Sequence, residues 1–275
     1  MPLESNPKVV GKYVKKLGFD SQYEVHELLS LEPWALEMIP RPAGAVFLLF
    51  PQGKELAAAQ EAESLSATAT PPTGVIHMKQ LVGNACGTIA VVHAMANLCK
   101  HSGAIATQGS WLERFLANYK DGMTSEDLGT MLEEDVAIEA AHDEAERESE
   151  ASHGHATNKD LHFIVFVCID GLVVELDGCK DKPIVRGKLG DYGGDFLRAA
   201  VVVIRERYMN VSPDPMRFNM MALCKPGEFA EGVPSAISEE AVAQLMALGF
   251  DADAAKSALE AAGGNAEEAA NFLLG

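Results

Sequence analysis

No long hydrophobic run interrupts this sequence. The longest apolar stretches, such as Ile164 to Ile169 and Ala199 to Ile204, fall far short of the ~20 residues a bilayer-spanning helix needs, so no membrane segment is expected. No leader is expected either. Met1-Pro2-Leu3-Glu4-Ser5 has neither an apolar signal core nor an Arg-rich presequence. Basic residues are scarce, with 22 Lys and Arg against 40 Asp and Glu, a formal net charge of −18. Such a surface repels a phosphate backbone, which excludes nucleic acid as the expected partner and favours a compact protein with a basic face. The five cysteines are few, odd in number and widely spaced, and none forms a CxxC pair. They suggest neither a disulfide framework nor a zinc site, but free thiols in a reducing, cytoplasmic setting. His153-Gly154-His155 lacks a third ligand at useful spacing, so neither metal nor cofactor is expected.

Apolar side chains are not lacking: 48% of the residues are hydrophobic, ample for a packed core. Asn6-Pro7 opens a helix with Pro at its first position, Val9, Tyr13, Val14 and Leu17 form its stripe, and Gly18 closes it. Pro33 starts a second short helix. Ala45 to Phe50 is apolar on both faces and reads as a central strand. Residues 57–74, small and proline-punctuated, read as a surface loop. Helices are expected from Cys86, over Leu112 to Tyr119, and over Ser125 to Ala140. His142 to Asn158 has almost no large apolar side chain and reads as a mobile stretch that cannot bury itself. Leu161 to Ile169 and Leu172 to Leu176 flank Asp170-Gly171, a strong hairpin signal. A helix from about Asp191, a buried run at 199–204 and a strand near Phe218 to Leu223 follow.

The chain thus divides into a domain over residues 1–225, a Pro/Gly/acid linker at 226–235, and a second unit at 236–275 rich in Ala, Glu and Leu. In that unit Ser238, Asp251 or Asp253, and Asn265 with Glu268 mark three helix starts, and Gly249 and Gly263-Gly264 mark stops. A small three-helix bundle results. It is too small for an active site and better suited to binding.

The segment Gln80-Leu81-Val82-Gly83-Asn84-Ala85-Cys86-Gly87-Thr88 carries the chemistry. Beyond it Ile89 to Leu98 is apolar nearly all round, which places Cys86 at the N-terminus of a buried helix, where free N–H groups and the dipole favour a thiolate. Position alone leaves a packed core cysteine equally open. The hairpin shifts the balance. If 169 pairs with 172, residue 177 stands opposite 164, so His162 and Asp177 are diagonal neighbours on one face. That is how a base and its orienting carboxylate meet. Gln80 is an amide donor that, with the Cys86 N–H, is suited to receive an oxyanion. Glycines at 83 and 87 leave room for a substrate backbone. His93 reads as a core residue, and Cys99, Cys168, Cys179 and Cys224 have no comparable setting.

These motifs resemble the ubiquitin carboxyl-terminal hydrolases, the papain-like deubiquitinase family of thiol enzymes. The match is carried by Pro2-Leu3-Glu4 with Asn6-Pro7, Pro40-Arg41-Pro42, Gln80 to Thr88, Leu161-His162-Phe163, Glu175-Leu176-Asp177-Gly178 and Arg217-Phe218-Asn219. The resemblance implies an α/β (α+β) fold, an antiparallel sheet flanked by helices on a knotted backbone. It also implies catalytic roles for Gln80, Cys86, His162 and Asp177, and a crossover loop near 142–158. Gly83 departs from the small hydroxylated residue expected there. Residues 236–275 resemble a ubiquitin-associated (UBA) domain, which implies that Leu248, Gly249, Phe250 and Leu273 meet ubiquitin. The expected function is hydrolysis at the C-terminus of ubiquitin, or of a ubiquitin-like modifier. A non-catalytic ubiquitin receptor is the alternative.

Overall fold

The structure, a computed structural model, describes residues 3–59, 69–152, 160–212, 214 and 217–225, and towards the C-terminus 245–246, 250–252 and 254–255. Six strands make one sheet in the order β1-β6-β2-β3-β4-β5, with every neighbouring pair antiparallel. These are β1 (Glu24–Glu27), β2 (Ala43–Pro51), β3 (Leu161–Ile169), β4 (Leu172–Leu176), β5 (Ile184–Lys188) and β6 (Asn219–Cys224). The central strands β2 and β3 are buried on both faces, as their unbroken apolar runs predict.

Each face has its own core. Against one lie α1 (Pro7–Leu17) and α3 (Cys86–His101), with α4 (Trp111–Asn118), α5 (Ser125–Glu133) and α6 (Val136–Ser152) beyond them. Strand residues Phe47, Phe163, Val165 and Met221 point into that core. Val46, Leu48, Ile164 and Phe166, of opposite parity, enter the other, where α2 (Pro33–Glu37) and α7 (Phe196–Ile204) pack. Helix α1 has the expected ends. Asn6 accepts from the Lys8 N–H, Pro7 begins the helix, and Gly18 ends it at φ 89°, where a side chain would also run into Ser110. Helix α3 needs no polar face. Its residues from Cys86 to Leu98 are buried, so packing all round replaces amphipathicity.

Several elements differ from the sequence reading. Residues 54–59 are helical and so run into the loop expected from residue 57, and they bury Leu56 against the α7 face. The single helix expected over Ser125 to Ala140 is broken at Glu134-Asp135, and Asp135 Oδ1 accepts the Ala137 and Ile138 N–H groups as the cap of α6. Helix α6 runs on to Ser152, through much of the stretch read as mobile. Its Ala and Glu content favours helix, and Ile138, Ala141 and Ala145 bury one face of its first half. Residues 153–158 lie outside the described residues, as do His153 and His155. The buried run at 199–204 is the second half of α7, which continues into one π-turn over Arg205–Met209. Strands β1 and β5 were not expected. Of the C-terminal caps, Asp251 Oδ1 accepts the Ala254 N–H, while the linker and the Ser238 and Asn265 positions fall outside the described residues.

Candidate active site

Cys86 is the first residue of α3. The preceding Ala85 has φ −87° and ψ 5°, not the extended backbone of a capping residue, and no side chain caps the helix. The first-turn N–H groups, including that of Cys86, therefore have no acceptor within the helix. Together with the dipole they favour an anion at the thiol or just outside it. The loop before it is tense at one point: Asn84 adopts φ 62°. A Cβ at Gly83 would meet nothing within 4 Å, so that position faces open space. Gly87 differs from expectation. A Cβ there would stand 2.7 Å from Leu3 Cβ, so it is glycine to admit the N-terminal segment and not a substrate.

His162 and Asp177 meet as the hairpin register requires. Ile169 pairs with Leu172 across a turn with Asp170 at φ 51° and Gly171 at φ 71°, and the ladder ends at Val165–Leu176. Past that end the His162 ring and the Asp177 carboxylate are joined at 2.7 Å, Nε2 to Oδ1, with both residues buried. Asp177 Oδ1 also accepts the Cys179 N–H at 2.8 Å. Phe50, the cross-strand partner of His162, packs edge-on against its ring at 5.6 Å. Burial by itself disfavours a charged His162. Hydrogen bonds with Asp177, and with the thiols of Cys179 and Cys86, outweigh that and raise its pKa to about 12. Burial likewise pushes Asp177 up, but its bonds to His162 and the Cys179 N–H hold the carboxyl below its ordinary value. The pair therefore stands as imidazolium and carboxylate, with Nε2 committed to Asp177 and Nδ1 left for the thiol side. An imidazolium beside Cys86 stabilises the thiolate, the nucleophilic form.

Gln80 is placed beside this group by backbone pairing. Its N–H donates to Gly178 O at 2.9 Å, and Gly178 has room for no side chain, because a Cβ there would stand 2.8 Å from Ile89 Cγ2 and 3.0 Å from Gln80 Cβ. The Gln80 amide is not idle. Its Nε2 donates to Val82 O at 3.0 Å, while Oε1 is buried without a hydrogen-bond partner among the described residues. An oxyanion donor at this position must exchange Val82 O for substrate.

Residues that sequence reasoning passed over complete the site. His77 Nε2 donates to the Asp177 carbonyl at 3.0 Å, and its Nδ1 accepts from Ser125 Oγ at 2.8 Å, which requires the neutral ring that burial favours. His93, expected in the core, accepts the Met78 N–H at 2.8 Å and stacks on His77. Asn97 Oδ1 and Nδ2 take up the Ile76 N–H and C=O. Polar side chains of α3 thus hold residues 76–78, and with them Gln80, against the turn after β4. No repeat or spacing announces this clamp, because the partners of its side chains are backbone atoms. Beside the loop before Cys86 lies a cavity of about 270 Å³, with Leu81, Val82 and Asn84 on one wall and Leu132, Ile138 and His142 on the other. Cys99 and Cys224 are driven up to about 12, chiefly by burial, and Cys168 is raised for the same reason, so these three remain inert thiols. Cys179 is exposed and lies next to the His162–Asp177 pair. In the C-terminal unit Phe250 is half-buried, while Leu248, Gly249 and Leu273 lie outside the described residues.

Residues 1–210 match the sequence profile described as ubiquitin carboxyl-terminal hydrolase, family 1, and residues 237–273 match the UBA/TS-N domain. The chain is 36% identical over 219 residues to a ubiquitin carboxyl-terminal hydrolase of Aplysia californica, covering 78% of this chain and 96% of that one. Identity to the Homo sapiens ubiquitin carboxyl-terminal hydrolase isozyme L1 is 35% over 226 residues, covering 82% and 97%. Among solved structures, the Trichinella spiralis UCH37 catalytic domain bound to ubiquitin vinyl methyl ester aligns with a TM-score of 0.65 at 24% identity, over 82% of this chain and 94% of that one. The Trichinella spiralis UCH37 structure bound to the same compound gives a TM-score of 0.58 at 20% identity, over 98% of each chain. At these identities the two structures bear on the fold.

Proposed function

The chain belongs to family 1 of the ubiquitin carboxyl-terminal hydrolases, and on that premise we propose that Cys86 is the nucleophile that releases groups joined to the C-terminal glycine of ubiquitin. The enzyme is a cysteine-type deubiquitinating hydrolase, and ubiquitin is its partner. The observation that carries the assignment of Cys86 is the buried His162–Asp177 pair at 2.7 Å, with the Cys86 thiol as a further hydrogen-bonding neighbour of the imidazole. No other thiol stands at a helix N-terminus beside a charged imidazole among the described residues.

His162 takes the Cys86 proton and holds it as an imidazolium that Asp177 orients. The thiolate attacks the terminal carbonyl carbon, and the oxyanion is received by the Cys86 N–H and by the Gln80 amide once that amide leaves Val82 O. His162 then gives its proton to the departing amine, and water, activated by the same imidazole, cleaves the thioester. Residues 1–225 supply this chemistry. Residues 236–275, after a linker at 226–235, add a ubiquitin-binding surface built on Leu248, Gly249, Phe250 and Leu273. No helix among the described residues is long and apolar enough to cross a membrane. The free cysteines support a reducing, cytoplasmic setting.

The test is steady-state turnover of a ubiquitin C-terminal amide, with ubiquitin affinity measured separately. Cys86→Ala is expected to lose turnover and keep affinity. Turnover that survives the substitution assigns the reaction to another group.

A further inference from the structure

Cys179 forms no bond in the mechanism above, yet its thiol is a hydrogen-bonding neighbour of the imidazole that does the proton transfer. One ring nitrogen of His162, one carboxylate oxygen of Asp177 and Cys179 Sγ lie within 4.8 Å of one another. We propose that Cys179, His162 and Asp177 form an inhibitory site for a thiophilic divalent cation of the zinc class, with Cys86 or water completing the coordination.

The donor set is the argument. Thiolate, imidazole and carboxylate together suit Zn²⁺ or Cd²⁺ and are a poor match for Mg²⁺ or Ca²⁺, which prefer oxygen alone. Zinc–sulfur bonds of about 2.3 Å and zinc–nitrogen bonds of about 2.0 Å separate donors across a tetrahedral centre by some 3.3–3.8 Å. The three atoms thus need side-chain adjustments on the order of an ångström. Two donors are already held. His162 is fixed by Phe50, and Asp177 by the Cys179 N–H. The third sits on an exposed turn, open to solvent, so the ion has an entry path that the buried pair alone lacks. The cation takes the place of the proton shared by His162 and Asp177 and displaces the proton of the Cys179 thiol; no electron moves. An occupied site deprives Cys86 of its base. Nothing in the sequence signals this cluster, because it joins residues 162, 177 and 179 through the hairpin and not through a spacing motif.

Inhibition rests on the thiol mechanism proposed above; metal binding does not, and two readouts separate them. The first is a titration of Cys86→Ala protein with Co²⁺. A thiolate-to-cobalt absorption band is expected, and it should vanish when Cys179→Ser is added. Absence of the band in Cys86→Ala, or its persistence in the double variant, overturns the site. The second is inhibition of turnover by Zn²⁺, with Mg²⁺ as the control. Cys179→Ser keeps the backbone N–H to Asp177 and, with inhibition read against its own metal-free rate, is expected to need about 10-fold more Zn²⁺ or higher for equal fractional inhibition. Equal sensitivity of the two proteins overturns the proposal. Lack of turnover in metal-free wild type would instead contradict the catalytic reading, and the cobalt titration would still decide the site.

Discussion

In the proposed mechanism His162 meets two demands at once: it must be charged enough to stabilise a thiolate, and buried enough to exclude water from the proton it carries. Asp177 reconciles them, since the 2.7 Å bond offsets the penalty of burying an imidazolium. Replacing Asp177 with Asn removes that charge and leaves the ring free to deprotonate. We expect turnover of a ubiquitin C-terminal amide to fall by ~10²–10⁴, the range of a general base, with a smaller change in KM. An unchanged kcat would detach Asp177 from the mechanism. Stability follows the same pair. The Asp177 carboxyl is lowered on folding, so its contribution is complete above its ordinary value of 3.8 and is lost as pH falls through the lower folded value. The gap in Tm between wild type and Asp177→Asn is therefore expected to widen as pH falls from the alkaline range towards the ordinary histidine value of 6.5, where the raised His162 contributes fully, and to narrow below 3.8 as Asp177 is protonated. A gap that closes near neutrality would contradict this. At this scale the sequence was informative about Gln80, Cys86, His162 and Asp177, because helix start and strand parity place them. It was silent on His77 and Cys179. His77 acts on a main-chain carbonyl, and Cys179 reaches the pair only through the turn that follows β4.

Helix α3 and the hairpin β3–β4 meet at the site, and each is held by close contacts that glycine permits. Leu3 comes to within 2.7 Å of where a Gly87 Cβ would lie, which ties the N-terminal segment to the first turn of α3. Gly87→Ala is expected to cost about 1–3 kcal/mol by overpacking, measured by urea or thermal unfolding. Leu3→Ala in the same chain should recover part of that cost. Additive losses in the double variant would show that the two residues do not press on each other. Long elements with uninterrupted apolar runs, β2, β3 and α3, were legible in the sequence. Strands β1 and β5 were not. Their four and five residues, EVHE and IVRGK, are half-exposed edges with no alternation to read, and pairing with a neighbour makes them strands. The break between α5 and α6 escaped notice because neither Gly nor Pro marks it, only the Asp135 cap.

Over the whole molecule the dominant quantity is the net charge of −18, which acts at distances that no single contact reaches. A basic-faced partner is drawn in, and salt screens the attraction, the Debye length falling from ~30 Å at 0.01 M to ~10 Å at 0.1 M. Raising ionic strength over that range is expected to lower kcat/KM for ubiquitin conjugates while kcat stays nearly constant. A kcat/KM independent of salt would show that the charge serves solubility alone. An antiparallel sheet flanked by helices was implied by the family resemblance, whereas the sheet order and the sharing of residues between two cores required coordinates. The central claim, that Cys86 at the start of α3 is the nucleophile oriented by His162 and Asp177, is tested most directly by reacting the full chain with ubiquitin vinyl methyl ester and mapping the adduct by peptide mass spectrometry. One covalent adduct at Cys86, with Cys179 unmodified, is the predicted result. An adduct on any other cysteine, or tight binding with no adduct, would contradict it.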